Sequence, residues 1–198
     1  HVKPVRQRWF GCACCPPNIA RVLTSLGHYI YTPHDDALYI NLYVGNSVEI
    51  PVGNAALRLR ISGNYPWQEQ VKIVIDSSSP VNHTLALRLP DWCDKPQVTL
   101  NGAPVTQDVR KGYLHISHLW QEGDTLQLTL PMPVRRIYGN PLVRHQAGQV
   151  AVQRGPLVYC LEQADNGEQL HNLQLPRDAR FSAVEGKGIF ARKILLQA

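Results

Sequence analysis

Between residues 32 and 133 the apolar side chains fall at every second position in short runs: Leu38, Ile40, Leu42 and Val44; Leu57, Leu59 and Ile61; Val71, Ile73 and Ile75; Leu85, Leu87 and Leu89; Val98 and Leu100; Leu114 and Ile116; Leu126, Leu128 and Leu130. A period of two places one side of an extended chain against a core and leaves the other in water, so each run predicts a half-buried strand. The runs recur about every ten residues with turn residues between them and no amphipathic stretch to serve as a crossover helix, a pattern that predicts an antiparallel β-sandwich over 32–133. Asn101-Gly102 predicts a two-residue hairpin turn, because both residues tolerate positive φ. Pro131-Met132-Pro133 reads as a linker, and 150–153 and 157–161 read as strands of a second, incomplete sandwich over 134–198.

One helical pattern stands apart from this grammar. Ile19, Val22, Leu23 and Leu26 are spaced i, i+3, i+4 and i+7, which predicts a single helix over 16–26 with Pro16 or Pro17 in its first turn and Gly27 as its stop. The fold class expected is therefore mainly β, preceded by one short helix in a first segment, 1–31.

A chain of 198 residues buries enough apolar surface to fold without disulfide staples. Its five cysteines are odd in number, and adjacent Cys14 and Cys15 are badly placed to bridge each other, so reduced thiols and a cytoplasm-like compartment are expected. The net charge of +5 arises from 20 Lys and Arg against 15 Asp and Glu that are scattered rather than striped, so nucleic acid is not an expected partner. No apolar run reaches the roughly 18 residues of a spanning helix, so no membrane association is expected. The chain begins at His1 without an initiating Met and reads as a piece of a longer protein.

Cys12, Cys14 and Cys15 fall within four positions just before the helix. Thiolates are soft ligands that select Zn, Cu(I) or iron–sulfur iron, with zinc the first choice here. The cluster lacks the downstream ligand pair that a zinc ribbon uses, so further ligands must lie elsewhere. A helix N-terminus also lowers the pKa of a nearby thiol, which would suit a nucleophile. The plainer alternative is that these thiols pack as small hydrophobes, and Cys93 and Cys160 are read in that way. His28, His34, His83, His115, His118, His145 and His171 show no ligand spacing, and Asp35, Asp36 and Asp91 read as turn residues. Asn82-His83-Thr84 is a glycosylation sequon, relevant only in an exported eukaryotic protein.

The segments GCACCPPN, LALRLPDWC, VTLNGAPV, GYLHI, WQEGDTLQLTLPMPVR and QRGPLVYCLE occur in this order and resemble the β-L-arabinofuranosidase family of glycoside hydrolases, family 127. The resemblance covers nearly the whole chain and implies the C-terminal part of an enzyme built from an (α/α)6 barrel followed by β-sandwiches. Residues 1–31 would then be the end of the barrel. Carried over by motif, Cys14 is the nucleophile and a zinc ligand, and Cys15 is a second zinc ligand; Cys12 receives no role. The resemblance also implies an acid/base Glu and an E-x-C motif carrying the other ligands, both upstream of this chain, so the chain alone is expected to be inactive. The implied reaction is retaining release of β-L-arabinofuranose. The partner expected is an arabinose-containing oligosaccharide or glycoside, with a homodimer left open. Two other readings stand beside it: a carbohydrate-binding sandwich presenting Trp67, Trp92 or Trp120, and a structural zinc knot without chemistry.

Overall fold

The computed structural model describes residues 11–12, 14–34, 36–106 and 108–197. Asp35, read above as a turn residue, and 1–10 of the first segment lie outside them. In chain order the elements are α1 (Cys15–Thr24), α2 (Leu26–Ile30), β1 (Tyr31–Pro33), β2 (Ala37–Ile40), β3 (Asn46–Val52), β4 (Ala55–Gly63), β5 (Gln70–Ile75), β6 (Val81–Arg88), β7 (Gln97–Leu100) and β8 (Ala103–Pro104). They continue with β9 (Val109–Arg110), β10 (Tyr113–Trp120), β11 (Thr125–Thr129), β12 (Val134–Tyr138), β13 (Val150–Arg154), β14 (Leu157–Tyr159), α3 (Gln163–Asn166), β15 (Ser182–Glu185) and β16 (Ile194–Gln197).

Two sheets, ordered β1-β2-β6-β10-β9 and β3-β4-β5-β11-β7-β8, share one hydrophobic core. The alternating runs supply it. Leu87 and Leu85 on β6 oppose Leu114 and Ile116 on β10, while Ile73 and Val71 on β5 oppose Leu126 and Leu128 on β11, all of them buried. The Asn101-Gly102 turn joins β7 to β8 with φ of 51° and 83°, as its sequence requires.

Four expectations are corrected. The sandwich is not antiparallel throughout, because β2 runs parallel to β6. A parallel neighbour needs a long connection, and here β3, β4 and β5 in the opposite sheet provide it. The run from Leu38 to Val44 stops being a strand at Asn41, whose backbone N–H donates to the Ile30 carbonyl and whose side-chain amide donates to Thr32 Oγ1. Strand β3 was missed, although Val48, Ile50 and Val52 alternate and Gly53-Asn54 turns the chain into β4. Met132 is no linker residue: it is buried, and its N–H donates to Glu69 Oε1 at 2.8 Å.

Beyond the sandwich lie a three-stranded antiparallel sheet, β12-β13-β14, and the pair β15-β16. Two buttresses fix this region. Buried Arg154 on β13 donates from Nη1 to the Trp67 carbonyl at 2.9 Å, and Arg136 on β12 donates to the carbonyls of Pro176, Arg177 and Ala179. The Arg136 guanidinium also lies over the Phe181 ring.

The predicted single helix is broken. Thr24 and Ser25 hydroxyls donate back to the carbonyls of Ala20 and Arg21, and Ser25 leaves helical geometry at φ −104°, ψ 7°. Such back-bonding competes with the backbone ladder and bends a helix. The chain then re-enters a helix through Gly27, which is not the stop, and ends at buried Ile30. Tyr31 carries it directly into β1, its hydroxyl donating to Asn46 Oδ1 at 2.7 Å.

Candidate active site

The cysteine cluster opens α1, with Cys14 at its N-cap and Cys15 as its first residue. Pro16 and Pro17 occupy the next two positions and bring no N–H, so the helix end is poorer in free donors than an ordinary one. Asn18 compensates locally. Its backbone N–H and its Nδ2 both donate to the Cys14 carbonyl, at 3.3 and 2.8 Å, and Arg21 Nη2 donates to Asn18 Oδ1 at 3.3 Å. Asn18 and Arg21 thus fix the Cys14 backbone. Motif reading missed them, although the i+4 and i+3 spacings from Cys14 to Asn18 to Arg21 were visible in the sequence.

The three sulfurs gather with Cys14 in the middle. Cys12 Sγ lies 3.3 Å from Cys14 Sγ, and Cys14 Sγ lies 3.7 Å from Cys15 Sγ. All three residues are exposed. The contact of the Cys14 sulfur with that of Cys12, and next that with Cys15, push the Cys14 thiol up. Cys12 is instead pushed down, first by the backbone N–H of Cys14 and then by the Cys14 side chain.

The donor set fits two corners of a zinc site. With a Zn–S bond of about 2.3 Å, two sulfurs on a tetrahedral ion stand about 3.8 Å apart. The Cys14–Cys15 separation of 3.7 Å matches that edge, and the 3.3 Å of Cys12–Cys14 is short for it. Among the described residues no group of three or more His, Cys, Asp or Glu side chains is arranged to hold a metal. His34 pairs with Asp36 at 2.7 Å, and His118 lies 3.4 Å from Asp124, both away from the sulfurs in sequence and in their partners.

Of the remaining cysteines, Cys93 joins the core, where burial raises its thiol, but Cys160 is exposed and corrects the expectation that it packs inside. The aromatic residues offered as sugar platforms are poorly placed. Trp120 is fully buried with its indole N–H donated to the His83 carbonyl, and Trp92 packs against the core. Trp67 is half-buried and lends its carbonyl to Arg154.

The apolar stripe of α1 is exposed. Ile19 and Leu23 are 61% and 66% exposed, and no residue of α1 is buried. An amphipathic helix whose apolar face no described residue covers is half of a packing unit.

Residues 37–132 match the middle domain, and residues 134–192 the C-terminal domain, of the GH127 beta-L-arabinofuranosidase family. The non-reducing end beta-L-arabinofuranosidase of Bifidobacterium longum subsp. longum is 38% identical over 183 residues, covering 88% of this chain and 27% of that protein. A GH127 beta-L-arabinofuranosidase from Geobacillus stearothermophilus T6 superposes with a TM-score of 0.84 at 49% identity, over 92% of this chain and 29% of that one. A second GH127 beta-arabinofuranosidase superposes with a TM-score of 0.85 at 33% identity, over 96% of this chain and 32% of that one. This chain thus spans about a third or less of the length of these relatives. Two domain matches in family order, a relative 38% identical over 88% of the chain and structural likeness over 92% of it establish that the chain belongs to glycoside hydrolase family 127, of which it carries the middle and C-terminal domains.

Proposed function

We propose that the chain is part of a retaining glycoside hydrolase that releases terminal β-L-arabinofuranose, with Cys14 as the nucleophile and Cys14 and Cys15 as zinc ligands. One observation carries the reading: two exposed sulfurs 3.7 Å apart at the head of a helix whose apolar face is uncovered among the described residues, in a chain whose relatives are named for this activity. We further propose three parts: 1–31 as the end of the helical catalytic domain, 32–133 as a sandwich, and 134–198 as a second β domain. A reducing compartment belongs to the same reading, because the chemistry uses a free thiolate.

Zinc, when bound, supplies positive charge that keeps the coordinating sulfurs deprotonated. Cys14 then attacks the anomeric carbon. The C–S bond forms as the C–O bond to the leaving group breaks, and the leaving oxygen takes its proton from a carboxylic acid outside this chain. Water next attacks the same carbon and the Cys14 sulfur departs, so two inversions give net retention. Asn18 and Arg21 serve as positioning residues by holding the Cys14 backbone against rotation during both steps.

The test uses the complete parent enzyme. Cys14→Ala is expected to abolish hydrolysis of an aryl β-L-arabinofuranoside, Cys15→Ala to leave a residue of activity, and the product to keep its anomeric configuration by NMR. Full activity in Cys14→Ala, or an inverted product, overturns the assignment. The isolated chain should not turn over, because it lacks general-acid assistance typically worth about 10²–10⁴-fold.

A further inference from the structure

Cys12 has no part in the proposed chemistry, yet its sulfur is the nearer of the two that flank Cys14, at 3.3 Å against 3.7 Å for Cys15. We propose that Cys12 and Cys14 close a reversible disulfide that takes the Cys14 thiolate out of service. That the bond forms is independent of the catalytic reading; that it silences an enzyme rests on it.

Chain geometry selects the pair. Cα atoms joined by a trans peptide are about 3.8 Å apart, below the roughly 4.4–6.8 Å that a disulfide spans without strain. Bridging Cys14 to Cys15 therefore requires distortion. Residues two apart are not held at that fixed short distance; fully extended backbone would place them about 6.6 Å apart, inside the permitted window. Cys12 is also the sulfur with room to move: it is exposed and preceded by exposed Gly11, and among the described residues, chain neighbours aside, no heavy atom lies within 4 Å of where a Cβ on that glycine would be. The Cys14 backbone is held by Asn18. Closing the bond needs the sulfurs to approach from 3.3 Å to about 2.05 Å, a displacement within reach of a side-chain rotation at Cys12. Cys93 is buried in the sandwich core and does not compete.

The oxidant is a peroxide. One thiolate attacks a peroxide oxygen, the O–O bond breaks, a sulfenic acid forms, and the hydroxide released takes a proton to become water. The second thiolate attacks the sulfenic sulfur, the S–S bond forms, the S–O bond breaks, and a second water leaves. Two thiols and one hydrogen peroxide thus give one disulfide and two waters. A dithiol reductant reverses the bond by exchange. Without such a partner, a nucleophilic thiolate continues to the sulfinic and sulfonic acids, which reductants do not restore.

The experiment treats the reduced chain with dilute hydrogen peroxide, blocks remaining thiols with iodoacetamide, and weighs the tryptic peptide spanning 9–21. The expected peptide has lost two hydrogens and carries one carbamidomethyl group, and dithiothreitol before blocking returns it to three. Cys12→Ser should abolish the two-hydrogen loss, whereas Cys15→Ser should keep it. Persistence of the loss in Cys12→Ser, or addition of oxygen alone in the unsubstituted chain, overturns the proposal. In the complete enzyme, Cys12→Ser should retain basal activity, and its inactivation by peroxide should resist dithiothreitol, whereas the unsubstituted enzyme should recover. Equal recovery in both refutes the protective role. Formation of the bond in an enzyme whose activity survives Cys14→Ala would leave the disulfide standing and refute the catalytic reading instead.

Discussion

Arg154→Met is expected to loosen the junction between the sandwich and the three-stranded sheet. The Arg154 side chain is 11% exposed, donates from Nη1 to the Trp67 carbonyl at 2.9 Å, and brings Nη2 to 3.8 Å from Glu69 Oε1. Glu69 in turn accepts the Met132 N–H, so one guanidinium braces two segments of the sandwich and its exit strand. Methionine recovers most of the packing of the stem and none of the donors. A hydrogen bond from a charged donor contributes about 1.5–3 kcal/mol. The Glu69 pair is long and its carboxylate is one-third exposed, so it adds only a few tenths, roughly the value of a surface pair. The sum is about 2–3 kcal/mol. For a chain of this length each kcal/mol moves Tm by about 2–4 °C, so the loss should be about 4–12 °C. Thermal unfolding followed by circular dichroism measures it, with Arg154→Lys as the control that keeps charge and loses the planar fork. A Tm for Arg154→Met within about 1 °C of the unsubstituted chain would refute the reasoning.

Asp124 offers a pH test. Burial alone would raise its carboxyl, but the Asn101 side chain, the Gln121 N–H and His118 together hold it below the ordinary value. The ionised group therefore stabilises the fold above the unfolded carboxylate range, and that contribution is lost as pH falls through the depressed folded pKa. Asp124→Asn should be less stable than the unsubstituted chain at pH 7, with the gap closing below about pH 4; a gap of constant size in denaturant melts across that range would count against it. Zinc gives the other test. With two of four ligands assigned to this chain, the dialysed protein should hold well under one zinc, and tight retention of one zinc per chain in metal analysis would contradict the two-ligand assignment.

Much of the sandwich was legible because burial on one face of a strand writes itself into alternate residues. Leu57, Leu59 and Ile61, or Leu126 and Leu128, could be placed in the core without knowing what they would touch. The Asn101-Gly102 turn was legible for a local reason, since few residue pairs accept φ of 51° and 83° in succession. Strand β3 escaped because Pro51 interrupts its run, and proline is tolerated there because β3 is an edge strand with one hydrogen-bonded neighbour. The crowding of thiols was legible in the sequence, but the spacing that sets Cys14 between two sulfurs, 3.3 Å from Cys12 and 3.7 Å from Cys15, was not, because it depends on the local backbone and rotamers.

What the sequence by itself determined, then, are the properties carried by neighbours along the chain: strand periodicity, the hairpin turn, the helical spacing of Ile19, Val22, Leu23 and Leu26, and the crowding of thiols before it. Tertiary structure alone decided who lies beside whom. Periodicity says which face of β2 is buried, but its parallel alignment with β6 depends on hydrogen bonds to residues more than forty positions away. The same holds for Met132, whose burial is set by Glu69 and Arg154, and for Trp120, whose indole N–H needs the His83 carbonyl. An apolar stripe likewise records that α1 is built to be covered, while Ile19 and Leu23 stand in water here because no described segment of this chain packs against them. Local patterns encode what a residue wants to bury, and only the packed chain supplies the partner that buries it.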